Sequence, residues 1–228
     1  MRIIFVRHGH PDYRNDCLTE LGHLQAKAAA QRLRDEHPTA IYCSSHGRAV
    51  QTAEHIAALH GMEVIPCDFI RELNWGSVDG TPLPDNGHPW MTVDAMVREG
   101  QSLRDENWTQ NPPFTNNIVG DSIKRISNGT DEWMENLGYR REGEFYRVMA
   151  KNDDTVMMVS HGGASSAALA RIFGLPFPLM CKICGCHHTA VTVVKLSGEQ
   201  GELICPQFEL LNDHRHIDGI STENVFGK

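Results

Sequence analysis

The chain has 228 residues, of which 40% are hydrophobic and 22% are charged, a composition typical of a globular protein with a packed core. Its formal net charge of -8 argues against nucleic acid and anionic membranes as main partners. A small phosphorylated substrate is compatible with this charge, because a single pocket can be cationic in an acidic protein.

The N-terminus and the cysteines indicate a compartment. Only a short apolar run, 3–6, precedes Arg7, which is too short for the core of a secretory signal, and no run is long enough to cross a bilayer. The seven cysteines are an odd number in a chain of this size, which favours reduced thiols. We therefore expect a cytoplasmic protein without a membrane partner.

Short apolar runs alternate with amphipathic segments along most of the chain. The apolar runs predict strands at 2–6, 40–43, 63–66, 155–160, 190–196 and 203–209. The amphipathic segments predict helices at 19–35, 48–60, 92–100, 121–137 and 163–173. This alternation favours the α/β class, as a three-layer sandwich with a mostly parallel central sheet flanked by helices.

The stretch 77–120 breaks the alternation. It holds five prolines, several glycines and asparagines, and only one short predicted helix. A segment of this length with little structure of its own is usually functional in a compact domain. We predict a single domain over residues 1–228, with 77–120 inserted as a lid.

The first predicted strand runs directly into Arg7, His8 and Gly9. Ligands of parallel α/β sheets bind beyond the carboxyl ends of the strands, where this motif lies. A neutral imidazole can attack phosphorus, and the planar guanidinium of Arg7 suits phosphate oxygens. The missing side chain of Gly9 would let a ligand approach the backbone. The alternative is an ordinary polar exit from the strand.

Two further strand exits carry residues of the same kind. The segment 42–57 places Arg48 at the opening of a helix, whose free N–H groups favour anions. The segment 156–169 ends a strongly apolar strand at His161, before two glycines and a helix. Arg48 is therefore a candidate phosphate ligand and His161 a second imidazole. Taken alone, the first would more often be a surface arginine and the second a structural histidine.

Glu72 lies shortly after the strand predicted at 63–66 and just before the lid. A carboxylic acid there can protonate the oxygen of a leaving group. The alternative is an ion pair with Arg71 or another arginine. Because parallel strands end at one sheet edge, the loops that carry these candidate residues should converge. Together they predict a phosphate clamp with a nucleophile and an acid.

Several segments, in order along the chain, resemble one known family. They are RHG at 7–9, LTELGHLQA at 18–26, SSHGRAVQTAE at 44–54, RELNWGSVDG at 71–80, GDSIKR at 120–125, SHGG at 160–163 and LLNDHRHI at 210–217. This set is similar to that of the histidine phosphatase superfamily, also called the phosphoglycerate-mutase-like family. The resemblance covers nearly the whole chain outside 81–119 and implies a phosphoglycerate-mutase-like fold.

The resemblance also implies roles for individual residues. His8 matches the histidine that is phosphorylated, and Arg7 and Arg48 match the two arginines that clamp the phosphate. His161 matches the second pocket histidine, which stabilises the transferring phosphoryl group. Glu72 matches the general acid of the mutase and broad-phosphatase branches. No cofactor and no metal ion is expected.

This chain departs from the family pattern beside the opening motif. Many relatives read Arg-His-Gly-Glu-Thr, whereas His10-Pro11 follows the glycine here. The Trp-Asn pair of the family lies close to YRN at 13–15, displaced by one position. The resemblance therefore implies substrate contacts from Arg14 and Asn15.

The lid bears on the choice between a phosphatase and a mutase. The family's cofactor-dependent phosphoglycerate mutases carry tyrosine, lysine and an Arg-Arg pair there, whereas 77–120 has neither tyrosine nor lysine. Its cations other than histidine are Arg98 and Arg104, against six carboxylates. We expect a metal-independent phosphomonoester hydrolase that acts through phosphohistidine. The alternatives are a cofactor-dependent phosphoglycerate mutase and, of another class, a non-catalytic phosphate-binding module.

Aromatic side chains in and near the lid have two interpretations. They form either an apolar wall for the leaving group or a small core under the long loop. These residues are Trp75, Trp90, Trp108 and Phe114.

A cluster of zinc-ligand residue types precedes the strand predicted at 190–196. It consists of Cys181, Cys184, Cys186, His187 and His188. No second cysteine pair lies at the distance of a zinc finger, and successive strand residues point to opposite faces. Ordinary buried thiols are therefore the favoured interpretation.

Overall fold

The computed structural model describes residues 1–112 and 114–220. Its strands are β1 Arg2–Arg7, β2 Pro11–Asp12, β3 Cys17–Leu18, β4 Ala40–Ser44, β5 Val64–Cys67, β6 Tyr139–Glu142, β7 Phe145–Val148, β8 Thr155–Ser160, β9 Val191–Lys195, β10 Leu203–Ile204 and β11 Gln207–Asp213. Its α-helices are α1 Glu20–Leu33, α2 Gly47–His60, α3 Pro89–Arg98, α4 Val119–Asn136, α5 Gly162–Phe173 and α6 Phe177–Ile183.

Six strands form the central sheet, in the order β11-β9-β1-β8-β4-β5. Strands β1, β8, β4 and β5 run parallel to one another, and β9 and β11 complete one side as antiparallel neighbours. The prediction of a mostly parallel sheet is confirmed.

Alternating side chains of β1 explain the three layers. Ile3 and Phe5 pack in the cluster that contains apolar residues of α4 and α5, whereas Ile4 and Val6 pack in the cluster of α1 and α2. A strand that buries both faces needs helices on both sides of the sheet. Each fully buried aliphatic side chain contributes about 1.5–3 kcal/mol relative to its exposed state. The predicted helix–sheet–helix sandwich is therefore observed.

The strands that matter for the site end level with one another. Arg7 at the end of β1 pairs with Ser160 at the end of β8. In the neighbouring pair, Cys43 of β4 faces Val159 of β8, one residue before both strands end. The chain segments that follow these three strands consequently leave the sheet side by side.

Helix α6 and the short strands β2, β3, β6 and β7 were not predicted from sequence. Helix α6 is only seven residues long and begins directly after Pro176, so its few apolar residues do not establish a helical period. Strands β6 and β7 form a hairpin whose alternation is interrupted by charged residues. The strand predicted at 203–209 divides into β10, which pairs with β7, and β11, which pairs with β9. Because pairing depends on tertiary partners, a short local pattern does not reveal it.

The predicted lid is partly built into the core. Trp90, Trp108 and Phe114 are buried in the same apolar cluster as the α4–α5 face of the sheet. The Trp108 ring centroid lies 4.8 Å from that of Phe114 and 5.8 Å from that of Phe177 in α6. Trp75 is half-buried, with its ring 4.7 Å from that of His88. The three buried lid aromatics therefore pack as core residues.

The length and hydropathy of the helices bear on whether one of them could cross a membrane. Within the described residues, no single helix is both long and apolar enough to cross a membrane. The consecutive helices α5 and α6 meet the requirement only when taken together, and they are bent by 114°.

Candidate active site

Two imidazoles meet at the carboxyl edge of the sheet. His8 follows β1 and His161 follows β8, and their ring centroids are 5.1 Å apart. The two side chains are 1% and 0% exposed. Because Arg7 and Ser160 are paired in register, the residues that come next in each strand leave the sheet as neighbours.

Hydrogen bonds orient the His8 ring. Its Nδ1 lies 2.7 Å from the carbonyl oxygen of Gly9, so in the neutral ring Nδ1 carries the proton and donates it. The lone pair is then on Nε2, which lies 3.4 Å from Nε of Arg48. The backbone N–H of His8 donates to the carbonyl of Ser160 at 2.8 Å. This arrangement presents Nε2 as a nucleophile.

Gly9 serves the packing of the site. A Cβ at this position would lie 2.5 Å from the carbonyl oxygen of Gly22 in α1. The Gly9 N–H donates to Oγ1 of Thr52 in α2 at 3.1 Å. We expected the glycine to make room for a ligand, but the backbone of α1 occupies that space. The close contact with α1 fixes the loop that holds His8.

Arg48 is held beside His8 by a carboxylate. It lies in the first turn of α2 and is 6% exposed. Its Nη1 donates to Asp16, whose other oxygen accepts from the N–H of Gly47 at 2.8 Å and lies 3.3 Å from Nδ1 of His46. Burial acts to raise the pKa of Asp16, but the Gly47 N–H and the Arg48 guanidinium together keep it below its usual range. Asp16 therefore remains ionised and orients the guanidinium.

His161 has one satisfied and one unsatisfied ring nitrogen. Its Nε2 lies 2.7 Å from Oγ of Ser44 at the end of β4. Its Nδ1 is buried and finds no hydrogen-bond partner within 1–112 and 114–220. His161 also precedes the first turn of α5, so free helix N–H groups lie beside it. The surroundings of His161 therefore favour the binding of an anion.

Arg7 completes the cationic side of the site. Its Nη1 donates to the carbonyl of Cys186, in the loop that leads to β9. Its Nε is buried and has no hydrogen-bond partner in the described part of the chain. Buried guanidinium N–H groups are normally paired, and a tetrahedral oxyanion supplies the matching acceptors.

Glu72 is anchored at the start of α5. Its Oε1 accepts from the N–H of Leu73 and from that of Ala164, each at 2.9 Å. A Cβ on Gly163 would lie 2.6 Å from this oxygen, so glycine is required for the carboxylate to reach the helix. Both hydrogen bonds end on Oε1, which leaves Oε2 for a proton. The ion pair considered with Arg71 is not observed, since Arg71 lies near Asp68.

Arg125 of α4 positions the segment that carries Glu72. Its Nη1 donates to the carbonyl of Phe69 at 2.6 Å, and its Nη2 donates to those of Arg71 and Glu72 at 3.1 and 3.2 Å. One guanidinium thus satisfies several carbonyls of a segment outside regular strands. The segment that carries Glu72 is therefore held by α4 as well as by α5.

Burial and neighbouring charge keep both central histidines neutral. Burial lowers the pKa of His8 well below its usual range, and the nearby His161 and Arg7 lower it further. Burial also lowers the pKa of His161, to which Arg48 and His46 add. Both changes disfavour the imidazolium form. A neutral His8 has the lone pair that attack on phosphorus requires.

Comparison with known proteins agrees with this geometry. The sequence model of the histidine phosphatase superfamily (branch 1) matches residues 3–208. The chain belongs to this superfamily. A probable phosphoglycerate mutase GpmB from Yersinia pestis (strain Pestoides F) is 28% identical over 186 residues, which cover 77% of this chain and 76% of the relative.

Solved structures of two phosphatases have a similar fold. The mycobacterial glucosyl-3-phosphoglycerate phosphatase in complex with inorganic phosphate is 26% identical, with a TM-score of 0.64 over 94% of this chain and 98% of that one. A phosphoserine phosphatase from Entamoeba histolytica, in complex with 3-phosphoglyceric acid, has a TM-score of 0.62 at 18% identity, over 95% of this chain and 98% of that one. The second likeness shows the fold alone.

Two residues expected to bind substrate lie in an exposed turn. The backbone N–H groups of Arg14 and Asn15 donate to Oδ1 of Asp12 at 3.0 and 3.3 Å, and the Asn15 amide donates to its Oδ2 at 2.8 Å. Asp12 therefore engages the Asn15 side chain, whereas Asp16, the residue after Asn15, contacts Arg48. Substrate contact by Arg14 and Asn15 stays a prediction.

The two histidines of the cysteine–histidine cluster pack against rings outside it. All seven cysteines are free thiols, and Cys181, Cys184 and Cys186 are buried. His187 stacks on His214 with ring centroids 3.8 Å apart, whereas the ring of His188 faces His8. Among the residues that the structure describes, no three His, Cys, Asp or Glu side chains are arranged to hold a metal ion.

Sequence reasoning missed four residues that build the site of this superfamily member. Ser44 and His46 lie in the segment that resembles the family, and Asp16 directly follows Asn15. Arg125 ends another such segment. Their positions inside or beside the residues that resemble the family were the available signal, but only tertiary structure reveals what they contact.

Stability should fall in acid, because several buried histidines have lowered pKa values. Below about pH 6.5 these histidines bind protons in the unfolded chain but not in the folded protein. The unfolded state is therefore stabilised relative to the folded state as the pH falls. We expect the free energy of unfolding to be greatest above about pH 6.5 and to fall below it by about 1.4 kcal/mol per pH unit for each such histidine. Urea unfolding between about pH 7.5 and 5 measures the slope.

The variant His161→Gln tests the origin of this slope, and exposed His37→Gln is its control. The first should flatten the dependence and the second should leave it unchanged. Equal slopes in all three proteins would contradict the assignment.

Proposed function

We propose that this chain is a metal-independent phosphomonoester hydrolase that works through a phosphohistidine intermediate on His8. The observation that carries the proposal is the state of that ring. Its Nδ1 is tied to the Gly9 carbonyl, its Nε2 lies beside Arg48, and burial keeps it neutral. A neutral, oriented imidazole among guanidiniums is suited to attack a phosphate ester.

In the first step, Nε2 of His8 attacks phosphorus and the bond to the ester oxygen breaks. Arg7 and Arg48 hold phosphoryl oxygens and stabilise their charge, and His161 adds its unpaired Nδ1. The two guanidiniums supply positive charge of the kind that metal ions supply in other phosphoryl-transfer sites. The departing alkoxide takes a proton from Glu72, so an alcohol leaves and Glu72 becomes a carboxylate.

In the second step, water attacks the phosphohistidine from the side that the alcohol has left. Glu72, now a carboxylate, accepts a proton from this water, and the P–N bond to His8 breaks. Inorganic phosphate and the neutral imidazole are regenerated, and Glu72 is again protonated. The anchor of Oε1 on α5 supports this role, because it keeps the carboxyl group in one place through both steps.

The substrate class is a small phosphate ester. The 26%-identical solved phosphatase supports this choice, since it is described in complex with inorganic phosphate. The net charge of -8 speaks against nucleic acid and anionic membranes as partners. The segment 77–120 begins five residues after Glu72, which supports its proposed role as a lid on the leaving-group side.

A phosphoglycerate mutase is the second candidate, because a curated relative carries that name. A mutase must neutralise a second acidic group on its substrate. The segment 77–120 contributes no lysine or tyrosine, and its acidic residues outnumber its arginines. This balance favours release of phosphate to water over its return to a polyanionic acceptor.

A panel of phosphate monoesters tests the proposal. We expect release of inorganic phosphate from at least one small ester, with an unchanged rate in a metal chelator. In a parallel assay primed with bisphosphoglycerate, interconversion of phosphoglycerates should be slower than hydrolysis. Faster interconversion would make the protein a mutase, and no turnover on either assay would favour the non-catalytic binding module.

A further inference from the structure

A third imidazole lies beside the proposed nucleophile. The ring centroid of His188 is 5.9 Å from that of His8 and 5.4 Å from that of His10. The residue is 8% exposed, and its Nδ1 is buried without a hydrogen-bond partner in the described residues. Buried ring nitrogens are usually paired, so this unpaired Nδ1 is a candidate contact for a ligand that enters the site. The unpaired Nε of Arg7 and Nδ1 of His161 belong to the same neighbourhood.

The backbone next to His188 adopts a rare conformation. Thr189 is fully buried and has a φ of 54°, in the left-handed region that a β-branched residue seldom enters. Its N–H donates to the carbonyl of His8 at 3.4 Å, and its Oγ1 contacts the His188 carbonyl at 2.8 Å and Nε2 of His216 at 3.0 Å. Such strain persists only where the surroundings enforce it, and it clusters at ligand sites.

The reaction geometry decides what His188 would touch. In an in-line displacement the leaving group departs from the side of phosphorus opposite to the attacking nitrogen. The ring centroid of His188 is 5.9 Å from that of His8, so the His188 ring is closer to the attacking nitrogen than to a group that leaves on the opposite side. It therefore meets the equatorial phosphoryl oxygens, and the alcohol stays out of its reach.

We propose that His188 is a substrate-binding residue that holds an oxygen of the transferring phosphoryl group. This inference rests on the function proposed above and adds a group to the clamp formed by Arg7, Arg48 and His161. The strained turn at Thr189 fixes the ring in place before the substrate arrives.

Charge links this contact to pH. The groups facing His188 are Arg7, His8 and His10 from β1 and the loop after it, and His187 from its own loop. Burial and then Arg7 lower the pKa of His188 to about 3, so the free ring is neutral. A bound dianion favours the imidazolium instead, so binding takes up a proton. Dianion affinity should rise as the pH falls.

Inorganic sulfate is a suitable probe, because it stays a dianion across the range of interest. We would measure its dissociation constant by calorimetry between about pH 5.5 and 8, where each proton taken up changes affinity by up to about tenfold per pH unit. The variant His188→Asn keeps a polar group near Nδ1 but cannot ionise. Its sulfate affinity should therefore depend less steeply on pH than that of the wild-type protein, by up to about tenfold per pH unit. The control is His55→Asn, which changes a histidine that contacts His23 where α1 and α2 meet. This variant should keep the wild-type pH dependence.

The outcomes separate this inference from the proposed function. A His188→Asn protein that turns over and retains the wild-type pH slope overturns the role of His188 alone. A wild-type protein that neither binds sulfate nor hydrolyses any ester overturns the proposed function too. Equal fold losses of kcat/KM for aryl and alkyl phosphates in His188→Asn support contact with the phosphoryl group, and a loss confined to alkyl phosphates contradicts it.

A measurement on the wild-type protein covers the case in which the variant fails to fold. The ring nitrogens of His188 can be followed by nitrogen-detected NMR at about pH 6, where the free ring should be neutral. Saturating sulfate should move both nitrogens to the imidazolium shift. An unchanged neutral pattern with sulfate bound would overturn the proposal.

Discussion

Replacing His8 with asparagine should lower kcat by roughly 10⁴-fold or more on every phosphate ester that the protein hydrolyses. Asparagine fits the space near Nδ1 and can keep the hydrogen bond to Gly9, but it has no nucleophilic nitrogen. The loss should therefore be in chemistry, with the fold and phosphate binding retained. Steady-state kinetics, with thermal unfolding as a check on the fold, measure this effect.

The control for this substitution is His55→Asn, which changes a histidine that contacts His23. It should keep its turnover within about twofold, as expected for a partly exposed position outside the site. A folded His8→Asn protein with near wild-type turnover would exclude covalent catalysis at this residue.

Replacing Glu72 with glutamine should have an effect that depends on the leaving group. Alkyl phosphates need a protonated leaving oxygen, so their kcat/KM should fall by about 10²–10⁴-fold. An aryl phosphate with an acidic phenol leaves without help and should lose far less in the first step. Glutamine preserves the acceptor oxygen toward the N–H groups of Leu73 and Ala164, so the segment should stay in place.

Glu63→Gln is the matched control, because Glu63 is exposed just before β5. It should leave both classes of substrate unaffected. A Glu72→Gln protein with equal losses on alkyl and aryl esters would assign the carboxylate to binding or structure and would leave the proton donor to be found elsewhere.

The layers and the sheet were predictable because their signals are local. Strands β1 and β8 are nearly continuous apolar runs, and helices separate each of them from the next strand of the central sheet. The motif residues could be placed at strand ends for the same reason. The side-by-side arrangement of His8 and His161 then follows from the parallel register, which ends both strands at one edge.

Other features of the site depend on contacts between distant segments, which no local pattern records. Asp16 orients Arg48 from a turn in which the sequence favoured its neighbours Arg14 and Asn15. Gly9 is required by the backbone of α1 and not by a ligand. His188 lies in a cysteine-rich stretch that resembled a metal site, and only the structure shows that its ring lies near His8, beside a residue with a left-handed backbone.

The central claim is that His8 carries the phosphoryl group during turnover. Rapid quenching of the wild-type enzyme with a radiolabelled phosphate ester, followed by peptide mapping, tests it most directly. We predict a label that is labile in acid and stable in base, that lies on the peptide containing His8, and that forms and decays as fast as turnover. Label on another residue, or turnover at full rate with no labelled enzyme and no burst of released alcohol, would contradict it.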